Sequence, residues 1–161
     1  GDTHAQTLTA INNLAAAHKK LGRLDLAEPL YREDYEAGVR TLGAEHPNTL
    51  VSATNLGTTE LLLGRFAEAA ELLETTVAAS RKVLGNEHYG TAFALCGYGE
   101  SLLGLERYEE AEEALLESRD ILLGVFGAGN PNLRQPEEAL LRIYLDTGRD
   151  EEAAELRAGR R

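Results

Sequence analysis

The sequence predicts an all-α chain built as a stack of four helix-turn-helix units, and three observations carry that reading. First, one register of 42 residues runs end to end. Gly1, Gly43, Gly85 and Gly127 keep it, as do Arg23, Arg65, Arg107 and Arg149, and so do Ala27, Ala69, Ala111 and Ala153. Second, within each unit the apolar residues recur at spacings of three and four, the period of an amphipathic helix. Third, a glycine turn divides each unit in two: Gly22, Gly64 and Gly148 hold that place, preceded by Leu21 and Leu63 in the first two units. A repeat of this length marks units that cannot cover their own apolar face and must stack to do so.

In the second unit the first helix runs through Leu50, Ala53, Leu56, Gly57 and Leu61. Gly64-Arg65 ends it, because glycine takes a left-handed C-terminal conformation without steric cost. Phe66, Ala69, Ala70, Leu72, Leu73, Val77 and Val83 lay out the second helix, which stops at Leu84-Gly85. The third unit repeats the pattern with Leu95, Tyr98, Gly99, Leu102 and Leu105, then Tyr108, Ala111, Leu115, Ile121 and Phe126. Ala15, Gly57 and Gly99, with the Ala27 column opposite, leave room for close helix crossings. Pro29 is assigned to the first turn of its helix, where no intrahelical donor is lost. In the fourth unit Asn130, Pro131 and Pro136 are expected to delay or bend the first helix, and a short charged second helix serves as a polar C-terminal cap. The expected helices lie near 5–21, 25–41, 47–63, 67–83, 89–105, 109–125, 136–147 and 150–158, in units of about 1–42, 43–84, 85–126 and 127–161.

Composition narrows the role. The 161 residues carry a formal net charge of −11, which disfavours a nucleic-acid partner, since that needs clustered Lys and Arg. Cys96 is the only cysteine, so a disulfide framework is excluded and a reducing, cytoplasmic setting is expected. No apolar run reaches the roughly 18 residues of a membrane span, and none reads as a signal peptide. Methionine is absent and Gly1 already stands in a repeat position, so a fragment of a longer protein is expected.

Leu56-Gly57, Gly64-Arg65-Phe66 and Ala69 follow an order of large, small, turn glycine, aromatic and alanine, and Leu14-Ala15, Gly22-Arg23-Leu24 and Ala27 match it too. That order resembles the tetratricopeptide repeat. The 42-residue length, with "LGAEHPNTLVSATNLG" and "GRLDLAEPLYRE", is similar to the kinesin light chain type. The resemblance implies a right-handed α-α superhelix whose first helices line a concave groove for extended peptides. On that basis the groove positions are Thr9, Asn13, Ala16, Lys19 and Lys20 in unit one, and Val51, Asn55, Thr58 and Leu62 in unit two. Unit three supplies Phe93, Cys96, Gly97, Glu100 and Gly104, and unit four Glu138, Arg142 and Asp146. Asn13 and Asn55 match the family's groove asparagine, whereas Gly97 and Ala139 depart from it. The resemblance also implies a partly basic groove, through Lys19, Lys20 and Arg142.

Chemistry weighs for binding rather than catalysis. A carboxamide both donates and accepts, which suits capture of a peptide backbone by Asn13 and Asn55, with Leu61, Leu62 and Leu103 for apolar contact. His4, His46 and His88 form a column, but equivalent positions in adjacent units lie far beyond the ~2 Å reach of a metal ligand. They are assigned to ordering the turn that enters a helix, and no metal or cofactor is expected. Cys96 has no base in its helix and is taken as a small, semi-buried groove residue. Glu109, Glu110, Glu112, Glu113 and Glu117 read as a solvated outer face, and the arginine column as structural, bonding helix-end carbonyls. No catalytic constellation emerges. The expected function is a non-enzymatic module binding a protein or peptide. The alternatives are a scaffold or self-associating segment joined through open repeat ends, and a regulatory arm beside a kinase or nucleotide-switch domain.

Overall fold

The small residues at the helix crossings decide how closely the elements pack, and their effect is visible throughout a computed structural model. It describes residues 2–159, with side chains from Thr9 onward. Among the described residues eight α-helices alternate in four pairs: α1 Asp2–Lys20 with α2 Leu24–Thr41, α3 Pro47–Leu62 with α4 Phe66–Val83, α5 Tyr89–Gly104 with α6 Tyr108–Phe126, and α7 Arg134–Asp146 with α8 Asp150–Gly159. A 3-10 turn, Pro131–Leu133, precedes α7. Among the described residues there is no strand. The all-α stack of helix-turn-helix units is the one the repeat pattern predicts, and it matches the superhelical solenoid that the resemblance implies.

Each helix packs on the next in order, so the core is continuous through the stack. Gly57 and Gly99 are the crossing points. A Cβ on Gly57 would stand 2.6 Å from the Leu73 side chain, and one on Gly99 would stand 2.7 Å from Leu115 and 3.1 Å from the Ala111 carbonyl oxygen. Opposite them Ala27, Ala69 and Ala111 are fully buried, as are Leu73 and Leu115. Burial of one such leucine is worth about 1.5–3 kcal/mol.

The turns are equally regular. Gly22 and Gly64 take positive φ, and the amides of Arg23 and Arg65 reach back to the carbonyls of His18 and Glu60, closing a Schellman motif. The same arginines start the next helix, since Ala27 and Ala69 donate to their carbonyls. In unit three Glu106 occupies the glycine position at φ 60°, the one positive-φ residue other than glycine among those described.

His46 and His88 order the turns into α3 and α5 as expected: each Nδ1 accepts from the amide two residues on, at 3.2 and 3.0 Å. Asn130 does the same in unit four through its side-chain oxygen. His4 lies outside the described side chains.

Three expectations are corrected. Pro29 sits at the sixth position of α2, beyond the first turn, so the Asp25 carbonyl has no amide four residues on to receive. The helix continues because Ala27, Tyr31 and Ala37 are buried on either side of it. Pro136 does not delay α7. It falls in the first turn of a helix already begun at Arg134 and is itself buried. The arginine column is structural, but the side chains of Arg65, Arg107 and Arg149 pair with carboxylates rather than helix-end carbonyls. Arg149 donates to both oxygens of Glu112 at 2.6 and 2.7 Å, Arg107 holds Glu110, and Arg65 lies 3.4 Å from Glu28. Glu112 and Glu117 are thereby drawn out of the solvated acidic face, Glu117 by Arg81.

Two substitutions test this packing. Glu106→Gly removes a left-handed cost of roughly 1–2 kcal/mol, partly offset by a more flexible unfolded chain, and should stabilise by about 0.5–1 kcal/mol. Gly99→Ala should destabilise by about 1–3 kcal/mol, because the Ala111 carbonyl is backbone and cannot swing away. Urea midpoints at constant m-value measure both.

Candidate functional site

Successive first helices touch, α3 on α5 and α5 on α7, while the second helices stand further apart on the outer side. Two open troughs lie between them, of ≈ 520 Å³ between α2 and α4 and ≈ 360 Å³ between α4 and α6. The inner layer of first helices is therefore the concave side. The first trough is spanned by ion pairs: Arg32 donates to Glu28 and to Glu60, the latter at 2.7 Å. Burial pushes the Glu60 carboxyl upward, against the opposing pull of Arg32.

On the concave side, residues at spacings of four, three and four form one stripe per helix. On α3 the stripe is Val51, Asn55, Thr58 and Leu62. Val51 and Leu62 are more than half exposed, and between them lie the half-buried Asn55 and Thr58. On α1 the stripe is Thr9, Asn13, Ala16 and Lys20, all exposed. Thr9 is engaged within the fold. No bond to another side chain occupies the carboxamides of Asn13 and Asn55 among the described residues.

The floor is polar and crosses all four first helices. Lys19 Nζ donates to Thr58 Oγ1 at 2.7 Å, and Thr58 donates to the Asn55 carbonyl at 3.1 Å. On the far side Gln135 Nε2 donates to Glu100 Oε2 at 2.6 Å. Gly97 lies between, where a Cβ would press on the Thr58 methyl at 3.0 Å. Burial pushes the Glu100 carboxyl upward, while Gln135 and Lys19 pull it down. Burial lowers Lys19 to about 8, although Glu100 opposes the shift, and the ammonium lies 5.8 Å from the Tyr31 ring centre.

Several sequence assignments change here. Cys96 is only 3% exposed and belongs to the core, its thiol pushed well up by burial, and Gly97 is buried as well. Leu103 is also buried and offers no groove contact, whereas Leu61 is half-buried. These residues turn inward because the curvature closes α5 between its neighbours. Phe93 is half-buried, packed on Tyr89 and against a small cluster of Ala92, Leu122 and Leu133. Gly104 lies under Phe66 of the preceding unit. Arg142 faces Asp146 at 3.5 Å and Glu138 accepts from Arg134, so the basic character lies at the α1 end, with Lys19 and the exposed Lys20. Sequence reasoning misses Gln135. It occupies the column of Thr9, Val51 and Phe93, a signal obscured by starting the helix at Pro136. Among the described residues no group of three or more His, Cys, Asp or Glu could hold a metal, and no helix is long and apolar enough to cross a membrane.

The depressed Lys19 has a consequence for stability. Between about 8 and its ordinary 10.5, the unfolded chain holds the proton more tightly than the folded one, so stability rises with pH across that window. Wild type should gain on Lys19→Met from pH 8 to 10 in urea titrations. A constant difference between the two chains contradicts the assignment.

Residues 6–82, 60–124 and 90–156 match the tetratricopeptide repeat family. No curated protein matches. Among solved structures, the chain is similar to the nearly identical TPR-like repeats of a Podosopora anserina protein described as a kinesin light chain. A point variant of those repeats is 27% identical over 95% of this chain and 72% of that one, with a TM-score of 0.82. A second structure of the same repeats is 27% identical over 93% and 71%, with a TM-score of 0.81. BtubC (BKLC) from P. vanneervenii shares the fold at 16% identity and a TM-score of 0.78, over 92% of this chain and 59% of that one. With matches that together run from residue 6 to residue 156, the chain belongs to the tetratricopeptide-repeat family, and its repeats are similar in structure to those of the kinesin light chain type.

Proposed function

We propose that the concave face holds an extended segment of another protein, with the α3 stripe at its centre. Tetratricopeptide repeats generally mediate protein–protein interaction, on a fold that is generally non-catalytic. The observation that carries the finer reading is the unengaged carboxamide of Asn55 between two exposed apolar side chains, Val51 and Leu62, with the equivalent Asn13 one unit away. An extended backbone offers a donor and an acceptor at each residue, and a carboxamide answers both. Lys20 and the part-buried Lys19 favour a carboxylate toward the α1 end. Glu100, held by Gln135 rather than by a cation, favours a donor on the segment further along. A cytoplasmic partner and location belong to the same reading.

The test begins with a peptide library selected on the 161-residue chain. Each lost amide removes one or two hydrogen bonds worth about 1 kcal/mol apiece, or roughly tenfold in affinity for Asn13→Ala and again for Asn55→Ala. The double variant should bind the selected peptides about a hundredfold more weakly at unchanged stability. Equal binding by wild type and double variant removes the clamp.

A further inference from the structure

The two outer troughs occupy equivalent places in successive units, so their walls can be compared column by column. In the first, Arg32 bridges Glu28 of its own helix and Glu60 of α3, beside Leu56. One repeat on, the second trough has Glu74 where the first has Arg32, and Tyr98 where it has Leu56. The place of Glu60 is taken by Leu102, which is fully buried. Two arginines face three glutamates around the first trough, and one arginine faces four around the second. The chain therefore supplies the first trough with a spanning cation and gives the second a carboxylate at the same position.

The arginine that does line the second trough is already engaged. Arg81 pairs with Glu117 toward one end, and Glu110 is held by Arg107 toward the other. Glu74 on the α4 wall and Glu113 on the α6 wall are left exposed, and neither carboxylate has a hydrogen bond or ion pair among the described residues. The floor below them is apolar, with Val77, Leu95 and Ala114 buried and Tyr98 half-buried. Tyr31 has the Lys19 ammonium 5.8 Å from its ring centre and Tyr144 has the Arg149 guanidinium at 4.4 Å. No cation lies over the Tyr98 ring among the described residues. Burial, and then Glu74, push the Tyr98 hydroxyl upward against the pull of Arg107, so the ring keeps a neutral phenol.

We infer that the trough between α4 and α6 is a second docking site, on the outer side away from the groove, for an arginine in a basic segment of another protein. The guanidinium plane stacks on Tyr98 while its fork of donors reaches Glu74 and Glu113, and its methylene stem lies along the apolar floor. Exposed carboxylates alone hold a cation weakly in water. The aromatic and apolar floor is what favours arginine over the compact, strongly hydrated ammonium of lysine. A chain of net charge −11 also steers a basic segment toward itself. The inference does not depend on the groove reading, which concerns the other side of the stack.

The experiment titrates the 161-residue chain with a labelled, end-capped peptide of alternating alanine and arginine, and with its lysine counterpart, at about 0.15 M salt. The arginine peptide should bind several-fold more tightly than the lysine one. Glu74→Arg gives the second trough the residue type of the first and should weaken binding by about tenfold or more. Glu113→Gln and Tyr98→Leu should each weaken it by about two- to fivefold. Urea midpoints should stay unchanged for Glu74→Arg and Glu113→Gln, since neither side chain bonds another. Glu155→Arg on α8 makes the same change of net charge away from the trough and should alter binding by less than about twofold. The double variant Asn13→Ala, Asn55→Ala should bind the arginine peptide as wild type does. Equal weakening by Glu74→Arg and Glu155→Arg means attraction to net charge alone and overturns the proposal. So does a lysine peptide that binds as tightly, a loss of binding in the double asparagine variant, or a concentration-dependent dimer that Glu74→Arg disperses.

Discussion

Contact between a leucine of one helix and a missing side chain on its neighbour is the constraint on which the architecture rests. Leu73 presses on Gly57 within its own unit and on Gly97 in the next, so one side chain ties two first helices to the helix that crosses them. Leu115 does this at Gly99. Because the same contact recurs at a fixed interval, successive helix pairs cross at equivalent residues, and a superhelix follows from repetition of one crossing. A larger residue at any of these points would move a whole unit, since the rest of the chain continues from the displaced helix.

Charge reinforces this geometry on the outer side. The arginine that ends one turn also begins the next helix, and its side chain is free to bridge units. Arg149 reaches Glu112 and lies 4.4 Å from the Tyr144 ring centre, and Arg65 approaches Glu28. Exposed pairs of this sort contribute about 0–1 kcal/mol each, so they refine rather than create the stack. They also explain how an acidic second helix such as α6 is tolerated: its carboxylates meet arginines from either side.

The inner layer is organised differently. Lys19, Thr58, Glu100 and Gln135 come from four helices, and although Thr58 and Glu100 share a repeat column their chemistry differs, so the groove floor is not itself repetitive. A regular scaffold with an irregular inner surface is suited to recognition, since the columns that hold the units together are separate from those that face a ligand.

The 42-residue register was enough to determine the helix pairs, their turns and the small residues at their crossings, because these depend on local periodicity and on steric size. The histidine caps were legible for the same reason, as each acts within two residues of itself. What only the tertiary structure decided is which residues of a nominal groove column remain in reach. Asn55 and Leu62 stay accessible while Cys96 and Leu103, on an equivalent helix, are buried, because α5 is enclosed by neighbours on both sides. The polar line through Gln135 and the ion-pair partners of the arginines also required the fold. Each depends on residues from separate units being brought together, and spacing along one helix carries no information about what lies across from it.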